Sequence, residues 1–365
     1  MPRTRLSPEV FALPLERLRG GYYSDAYFNC TRGVLEAQDL HPRVTMQVFQ
    51  KQEGALLGGV DEALAVLRLC AGRSVGEEPA RAWEPGWDRL AVAALYDGDE
   101  VAAWETVMTI EGDYSLFAHL ETVFLGALTR RTLIATNVRR VVEAAAGKPI
   151  LYFPARFDHY AAQTGDGYAA HSAGALGVST DAQASWWGGK GIGTVPHGLI
   201  AACGGDTVAA TRRFADTYYP ALNVTALVDF DNDCVGASLA CARALGERLW
   251  GVRLDTSETL VDRSLWSTMG GFRPTGVAPE LVCAVRRALD AEGFRRVKIV
   301  VSGGFTAARI AAFEAAGVPA DAYGVGSGLL RGVADFTADV VRLEGAPCAK
   351  VGREYRPNPR LEPVE

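Results

Sequence analysis

The spacing of apolar residues changes character twice along the chain, and each change predicts a different kind of structure. In the first part, YYSDAYFNCTRGVLEAQDL (22–40) reads as a short helix and VTMQVFQKQEG (44–54) alternates as a strand does. GVDEALAVLRLC (59–70) has helical spacing, and 87–114 holds two strand-like runs parted by the turn DGDE. Residues 1–114 are therefore expected to form a small α+β domain with antiparallel strands. A helix-rich connection (115–148) follows, apolar at three- and four-residue intervals and closed by Gly147 and Pro149.

From 149 onward short apolar runs alternate with helical patterns. PILYFPA (149–155), VTALVDF (224–230), WGVRLD (250–255), VKIVV (297–301) and DAYGV (321–325) read as strands. YAAHSAGALG (168–177), 205–220, 235–249, 279–293 and 306–317 read as helices. Strands separated by helices of this length imply parallel βα units. No G-x-G-x-x-G follows the first of these strands, which argues against a dinucleotide fold. The predicted fold class is α/β: an irregular, TIM-like (β/α) barrel over 149–330 that binds phosphate, joined to the α+β N-terminal domain. The C-terminal segment 331–365, polar and rich in proline at its end, is expected to return to that N-terminal domain.

Two consecutive predicted strands end in glycine and serine: Ser302, Gly303 and Gly304 after VKIVV, and Gly326, Ser327 and Gly328 after DAYGV. Backbone amides in such turns hold phosphate without a charged side chain, and in barrels of this class the phosphate site lies at the last two strands. Composition narrows the partners. A net charge of −6 and a pI near 5.6 disfavour a broad nucleic-acid surface. No run of about 18 apolar residues indicates a membrane span, and the opening MPRTRLSPEVFALPLE lacks a signal core. The seven cysteines contain no C-x-x-C pair, so a reducing cytoplasm is the expected setting.

Ligands of parallel α/β proteins sit at the carboxyl ends of the strands. Those ends carry Phe153, Arg156 and His159; Asp229, Asp231 and Asp233; and Arg253, Asp255 and Glu258. Cations, carboxylates and phosphate-binding amides around one mouth suit a phosphorylated sugar with Mg²⁺, which prefers carboxylate and phosphate oxygens. At least one of Asp231 and Asp233 is expected to cap the next helix. GGKGIGTVPHGLI (188–200) is a glycine-rich loop with Lys190, Thr194 and His197, the last among only five histidines. A phosphoacceptor or acid/base role for His197 is chemically suited to that setting.

The segments YYSDAYF, FPARF, GVSTDAQ, GTVPHGLI, LVDFDND, VRLDTSE, VSGGF and YGVGS occur in one order. In that order, from about residue 22 to 352, the chain resembles the nicotinate phosphoribosyltransferase family, a type II phosphoribosyltransferase family, in its short archaeal-like form. The resemblance implies formation of nicotinate mononucleotide and pyrophosphate from nicotinate and phosphoribosyl pyrophosphate, within NAD biosynthesis. It implies a homodimer or higher homo-oligomer with shared active sites, Mg²⁺ as cofactor and ATP as a coupled substrate. Carried onto this chain, Tyr27 would stack on the pyridine ring from the partner subunit and Phe153 on its other face. Arg156 would hold the carboxylate or a phosphate. Asp229 and Asp255 would contact ribose or Mg²⁺, with Arg253, Ser302, Gly303, Gly304, Gly326 and Ser327 around the ribose and 5′-phosphate. His197 matches the histidine that family members phosphorylate with ATP. Two departures stand out. The family's DSGD reads DTSE here, and Asp181 in GVSTDAQ stands where many members have a neutral residue. Asp181 makes nicotinamide or another pyridine the alternative substrate; a sugar-phosphate barrel enzyme and a non-catalytic nucleotide-binding relative are the remaining readings.

Overall fold

The computed structural model of the chain describes residues 4–76 and 82–365, which separate into two compact units. The first unit comprises residues up to Thr136 together with Gly332–Glu365. It holds helix α1 (Ala26–Ala37), strand β1 (Arg43–Gln50), helix α2 (Val60–Cys70) and strands β2 (Ala91–Ala94) and β3 (Thr106–Asp113). Helix α3 (Glu121–Ala144) fills most of the helix-rich stretch, and the division between the units falls within it.

β1 is paired antiparallel on both edges, and every residue of it after Arg43 is buried. The alternation seen in its sequence therefore does not mark a solvent face. Val44, Met46 and Val48 enter a core with Met108, Ile110, Phe117, Phe124 and Leu128. Gln47 points the other way, where its Oε1 accepts the Arg356 amide at 2.9 Å. The segment after 350 thus covers the second face, and Asn358 adds bonds to Glu105 and the Thr106 carbonyl. α2 carries Asp61 and Glu62 in its first turn and Arg68 in its last, which complements the helix dipole. Its cap, Gly59, has φ +82°, and a Cβ there would lie 2.6 Å from the Ala127 carbonyl oxygen of α3. Glycine is required there for both reasons.

The second unit (Asn137–Arg331) is built on β4 (Ile150–Tyr152), helix α4 (Gln163–Ser172), β5 (Gly177–Val178), helix α5 (His197–Ala202) and helix α6 (Thr207–Tyr218). It continues with β6 (Val224–Leu227), helix α7 (Cys234–Leu245), β7 (Leu249–Leu254), helix α8 (Pro279–Ala291), β8 (Lys298–Val301), helix α9 (Ala307–Ala315) and β9 (Ala322–Val325). The sheet order is β6-β7-β8-β9-β4-β5, and every pairing is parallel. This is a parallel half-barrel of six strands among the described residues. Ala226, Leu227, Val252, Leu254, Ile299, Val301, Tyr323 and Val325 are almost fully buried, as expected of strands covered on both faces. Burying side chains of this kind contributes about 1.5–3 kcal/mol each.

The chain then re-enters the first unit. Strand β10 (Phe336–Leu343) pairs with β1, β11 (Ala346–Pro347) with β10, and β12 (Glu362–Pro363) with β2, so that the antiparallel sheet runs β11-β10-β1-β3-β2-β12. Among the described residues no helix is long and apolar enough to cross a membrane.

One half-buried acid makes the first unit sensitive to pH. Burial, with Asp339 and Asp25 nearby, pushes the Glu121 carboxyl from its ordinary 4.5 up to about 8. A folded value above the unfolded one means that stability is complete below pH 4.5 and is lost progressively as pH rises through 8. In thermal melts, Glu121→Gln is expected to match the wild type near pH 4.5 and to gain in Tm between that pH and 8, the difference levelling off above. A difference that does not change with pH would count against this assignment.

Candidate active site

Register decides which side chains meet at the carboxyl ends of the second unit's strands. Leu227 pairs with Arg253 and Leu254 with Val301. Two residues beyond the first pair Asp229 therefore lies abreast of Asp255, and one residue beyond the second Asp255 lies abreast of Ser302. Val325 pairs with Tyr152, which sets Gly326 beside Phe153. Five consecutive strands of the sheet thus deliver two carboxylates, a hydroxyl, a glycine turn and an aromatic ring to one end.

Hydrogen bonds link most of these groups. Ser302 is buried, and its hydroxyl donates to Asp255 Oδ1 at 2.8 Å. Arg253 donates from Nη2 to Asp255 Oδ2 at 3.2 Å and from Nη1 to Thr194 Oγ1 at 2.8 Å. Its guanidinium lies 5.8 Å from the centre of the Phe153 ring, and its Nε is buried with no partner among the described residues. Phe153 is half-buried, with its ring against Gly324: a Cβ on residue 324 would come within 2.7 Å of the ring.

The glycine-rich loop 188–196 is pinned at both ends. Gly191 donates its amide to Asp181 Oδ1 at 2.8 Å, and Val195 donates to the Thr225 carbonyl on β6. His197 follows two residues later, as the first residue of α5. Its Nε2 lies 3.0 Å from Asp229 Oδ1, the imidazole 47% exposed and the carboxylate nearly buried. Burial raises the Asp229 carboxyl above its usual range; the His197 pairing opposes that shift and the neighbouring Asp255 adds to it. Asp229 and Asp255 therefore sense one another electrostatically. Asp233 caps α7 by accepting the Gly236 amide, so it serves the helix.

The two phosphate-binding candidates differ in form. Gly303 and Gly304 have φ of +87° and +66°, a backbone path that favours glycine. Among the described residues their amides donate no hydrogen bond, and α9 begins only after the cap Thr306. Gly326 and Ser327 open a single 3₁₀ turn (Ser327–Leu330) rather than an α-helix, and their amides likewise have no acceptor among the described residues. Arg156 is exposed in the turn after Pro154, its guanidinium 5.4 Å from the Phe157 ring. Tyr27 lies in the first unit on α1, 62% exposed.

Two residues at this end of the sheet were not picked out by strand-end reading. Arg309 donates to the Gly303 carbonyl from within α9, six residues beyond the turn it supports. Phe157 lies beside Gly326, where a Cβ would come within 3.0 Å of its ring. The signal for Phe157 was present in FPARF, as a second aromatic beside Phe153.

Residues 25–132 match the family profile of the quinolinate phosphoribosyl transferase N-terminal domain. The crystal structure of nicotinate-nucleotide pyrophosphorylase from Pyrococcus furiosus is 30% identical with a TM-score of 0.78, and the match covers 100% of this chain and 86% of that one. The chain belongs to the nicotinate phosphoribosyltransferase family. Nicotinate phosphoribosyltransferase pncB1 of Mycobacterium tuberculosis is 32% identical over 253 residues, which is 67% of this chain and 52% of that protein. The chain thus spans about half the length of the curated relatives it matches. Human nicotinic acid phosphoribosyltransferase, at 16% identity and a TM-score of 0.66, shares the fold, with 91% of this chain and 77% of that one covered.

In this member of the nicotinate phosphoribosyltransferase family Asp255 is held from both sides, and loosening one side is measurable. Ser302→Ala removes a hydrogen bond to a charged acceptor, so urea unfolding is expected to show a loss of about 1.5–3 kcal/mol. A loss below about 0.5 kcal/mol, the bottom of the range for ordinary hydrogen bonds, would mean that Arg253 alone positions the carboxylate.

Proposed function

We propose that the chain is a nicotinate phosphoribosyltransferase, joining nicotinate to phosphoribosyl pyrophosphate with release of pyrophosphate. The observation that carries this reading is the alignment of acceptor-free glycine amides, Asp255, Asp229 and His197 along adjacent strand ends. The likeness to the Mycobacterium tuberculosis and Pyrococcus furiosus proteins supports it. The six-stranded half-barrel is read as an incomplete, irregular TIM-like barrel with the site at its mouth.

In this reading the 5′-phosphate rests on the amides of Gly303, Gly304, Gly326 and Ser327. Ser302 and Arg253 hold Asp255 toward the ribose, with Asp229 beside it. The pyridine ring lies on Phe153, with Arg156 at its carboxylate; Tyr27 of a second copy closes the other face in a homodimer or larger assembly. The ring nitrogen attacks C1′, and the C1′–oxygen bond breaks with its electrons leaving on pyrophosphate. Positive charge develops on the ribose, and the two carboxylates stabilise it. Holding the ring nitrogen over C1′ is mainly a proximity effect.

The donor set also fits Mg²⁺. Two adjacent carboxylates are hard oxygen donors whose mutual repulsion a divalent cation relieves, and Mg²⁺ commonly takes one or two carboxylates and completes its shell with water and substrate phosphates. Asp229 and Asp255 would hold it, and when bound it supplies charge neutralisation for the departing pyrophosphate.

With Asp229 accepting from Nε2, the His197 Nδ1 lone pair is left as the nucleophile toward ATP. Nδ1 bonds to the γ-phosphorus as ADP departs, and hydrolysis of that phosphohistidine restores the imidazole. On ring choice, one oxygen of Asp181 is already committed to the Gly191 amide, while Arg156 has no carboxylate partner among the described residues. Both features favour nicotinate over nicotinamide. The match to the quinolinate transferase profile motivates a second reading, in which quinolinate is the acceptor and CO₂ is lost as well.

Purified protein with phosphoribosyl pyrophosphate and Mg²⁺ is expected to release pyrophosphate with nicotinate, and far more slowly with nicotinamide or quinolinate. Release of CO₂ from quinolinate at a comparable rate would move the assignment to the second reading, and no release with any pyridine, with or without ATP, would remove the transferase reading. Separately, ATP labelled in its γ-phosphate should transfer label to the wild type and none to His197→Asn. Equal labelling of both proteins would place the phosphate elsewhere.

A further inference from the structure

The Gly303–Gly304 turn has a resident anion supplied by the chain itself. Glu258 comes from the loop after β7, three residues beyond Asp255, and a Cβ on residue 304 would collide with its Oε1. Its carboxylate therefore rests against the glycine whose amide is free. It is loosely held: the side chain is 61% exposed, no amide of the turn donates to it among the described residues, and Arg309 Nη1 lies 3.6 Å away.

Arg309 is held far more firmly. It donates to the Gly303 carbonyl and to the Val277 carbonyl, both at 2.8 Å, and its guanidinium lies 4.3 Å from the centre of the Phe305 ring. It therefore joins the glycine turn to both ends of the 255–278 loop, through Glu258 at one end and Val277 at the other. Arg273, from the same loop, is near enough to act on Arg309: burial lowers the Arg309 guanidinium from its usual value, Glu258 opposes the shift and Arg273 adds to it. Glu258 thus faces Arg309 beside two amides that have no acceptor among the described residues, and Arg273 is a second positive charge acting on Arg309.

We propose that Glu258 is a stand-in for phosphate at this turn, displaced when the 5′-phosphate of a phosphoribosyl donor arrives and takes over Arg309 as its counter-ion. The proposal rests on the phosphoribosyltransferase reading for the identity of the sugar, while the exchange itself concerns only phosphate. It follows chemically from the charges. A phosphate dianion carries more charge than the carboxylate and has three oxygens to accept from the amides and the guanidinium together, and charge-assisted bonds of that kind are the strong ones. A monoanionic sugar acid gains little over Glu258 and should displace it poorly. The exchange also explains how a side chain in a family-variant DTSE segment can remain compatible with phosphate binding.

The test uses the full chain and ribose 5-phosphate as probe, titrated calorimetrically beside ribose as a phosphate-free control. Glu258→Gln keeps the shape and removes the competing charge, so it is expected to bind ribose 5-phosphate roughly tenfold more tightly than the wild type. Arg309→Met is expected to weaken binding by roughly ten- to a hundredfold, the loss of a hydrogen bond to a charged group. Arg309→Lys, which keeps the charge, should recover part of the loss and carries the test if the methionine variant does not fold. Affinity for ribose should not follow either change. Unchanged or weaker ribose 5-phosphate binding by Glu258→Gln would overturn the proposal. So would a loss of turnover in Glu258→Gln that is restored by raised Mg²⁺ while phosphate affinity stays constant, which would place Glu258 at the pyrophosphate end. Its failure is separable from that of the functional reading. Absence of turnover with every pyridine removes the transferase while leaving the phosphate response to be read directly. Normal turnover with wild-type affinities in the variants removes the exchange alone.

Discussion

The Arg253 guanidinium is fixed by two partners that the chain brings from opposite directions. Thr194 arrives from the glycine-rich loop and Asp255 from the end of Arg253's own strand. Both contacts follow from the sheet. Arg253 and Asp255 are two residues apart and so face the same side of β7, while Val195, bonded to the Thr225 carbonyl, carries Thr194 along the edge of β6. A slip of one residue in the β6–β7 register would turn Asp229 away from Asp255 and separate Arg253 from Thr194. The chemistry proposed for this mouth therefore depends on apolar contacts: Leu227, Val252, Leu254 and Val301 hold the register, and the polar residues follow from it.

That arrangement has an electrostatic cost. Burial and the proximity of Asp255 both raise the Asp229 carboxyl, and His197 only partly opposes them. The Arg253 Nε, buried and without a partner among the described residues, is a second uncompensated group. A protein selected for stability alone would pair or remove such groups, because an unsatisfied buried polar atom costs about 1–3 kcal/mol. Their persistence is understandable if a ligand supplies what is missing: positive charge developing between the carboxylates, and an acceptor near the guanidinium. Functional sites are where such conflicts are expected.

Most of the parallel unit was legible because five of its strands are short, buried, aliphatic or β-branched runs, and such runs fit few alternatives; the two-residue β5 (Gly177–Val178) fell where a helix and a glycine-rich loop were expected, too short to leave a pattern of its own. VTALVDF, WGVRLD and VKIVV became β6, β7 and β8, the second and third within one residue and the first three residues shorter at its end, and Ser302, Asp255 and Asp229 could be placed at one end on that basis alone. The first unit was harder to read. β10 lies in RGVADFTADVVRLEG, where Asp335 and Asp339 interrupt the apolar pattern and no strand was expected after Leu330. Its pairing with β1 joins residues about 290 positions apart, such as Gln47 and Asp339, and no local periodicity encodes that. The alternation of 44–54 did locate β1, but its polar side is not exposed: Gln47 is covered by the chain after 350, and a sequence pattern alone does not show that.

The same limit applied to Arg309. Strand-end reading finds residues that lie on the strands or in the turns immediately after them, because their placement needs only the βα pattern. Arg309 sits inside α9, six residues past Gly303, and its bond to the Gly303 carbonyl appears only once the helix folds back over its own turn. Residues that act from the first turn of a following helix are a third source of site chemistry, beside strand ends and loops. In this chain that source supplies the cation for a turn whose own sequence, Ser-Gly-Gly, has none. A glycine turn offers amides and conformational freedom but no net charge, so holding a dianion by amides alone would leave most of its charge unmatched. The arginine and the displaceable glutamate together answer that problem. One matches the charge of the ligand when it is present, and the other matches the charge of the arginine when it is not.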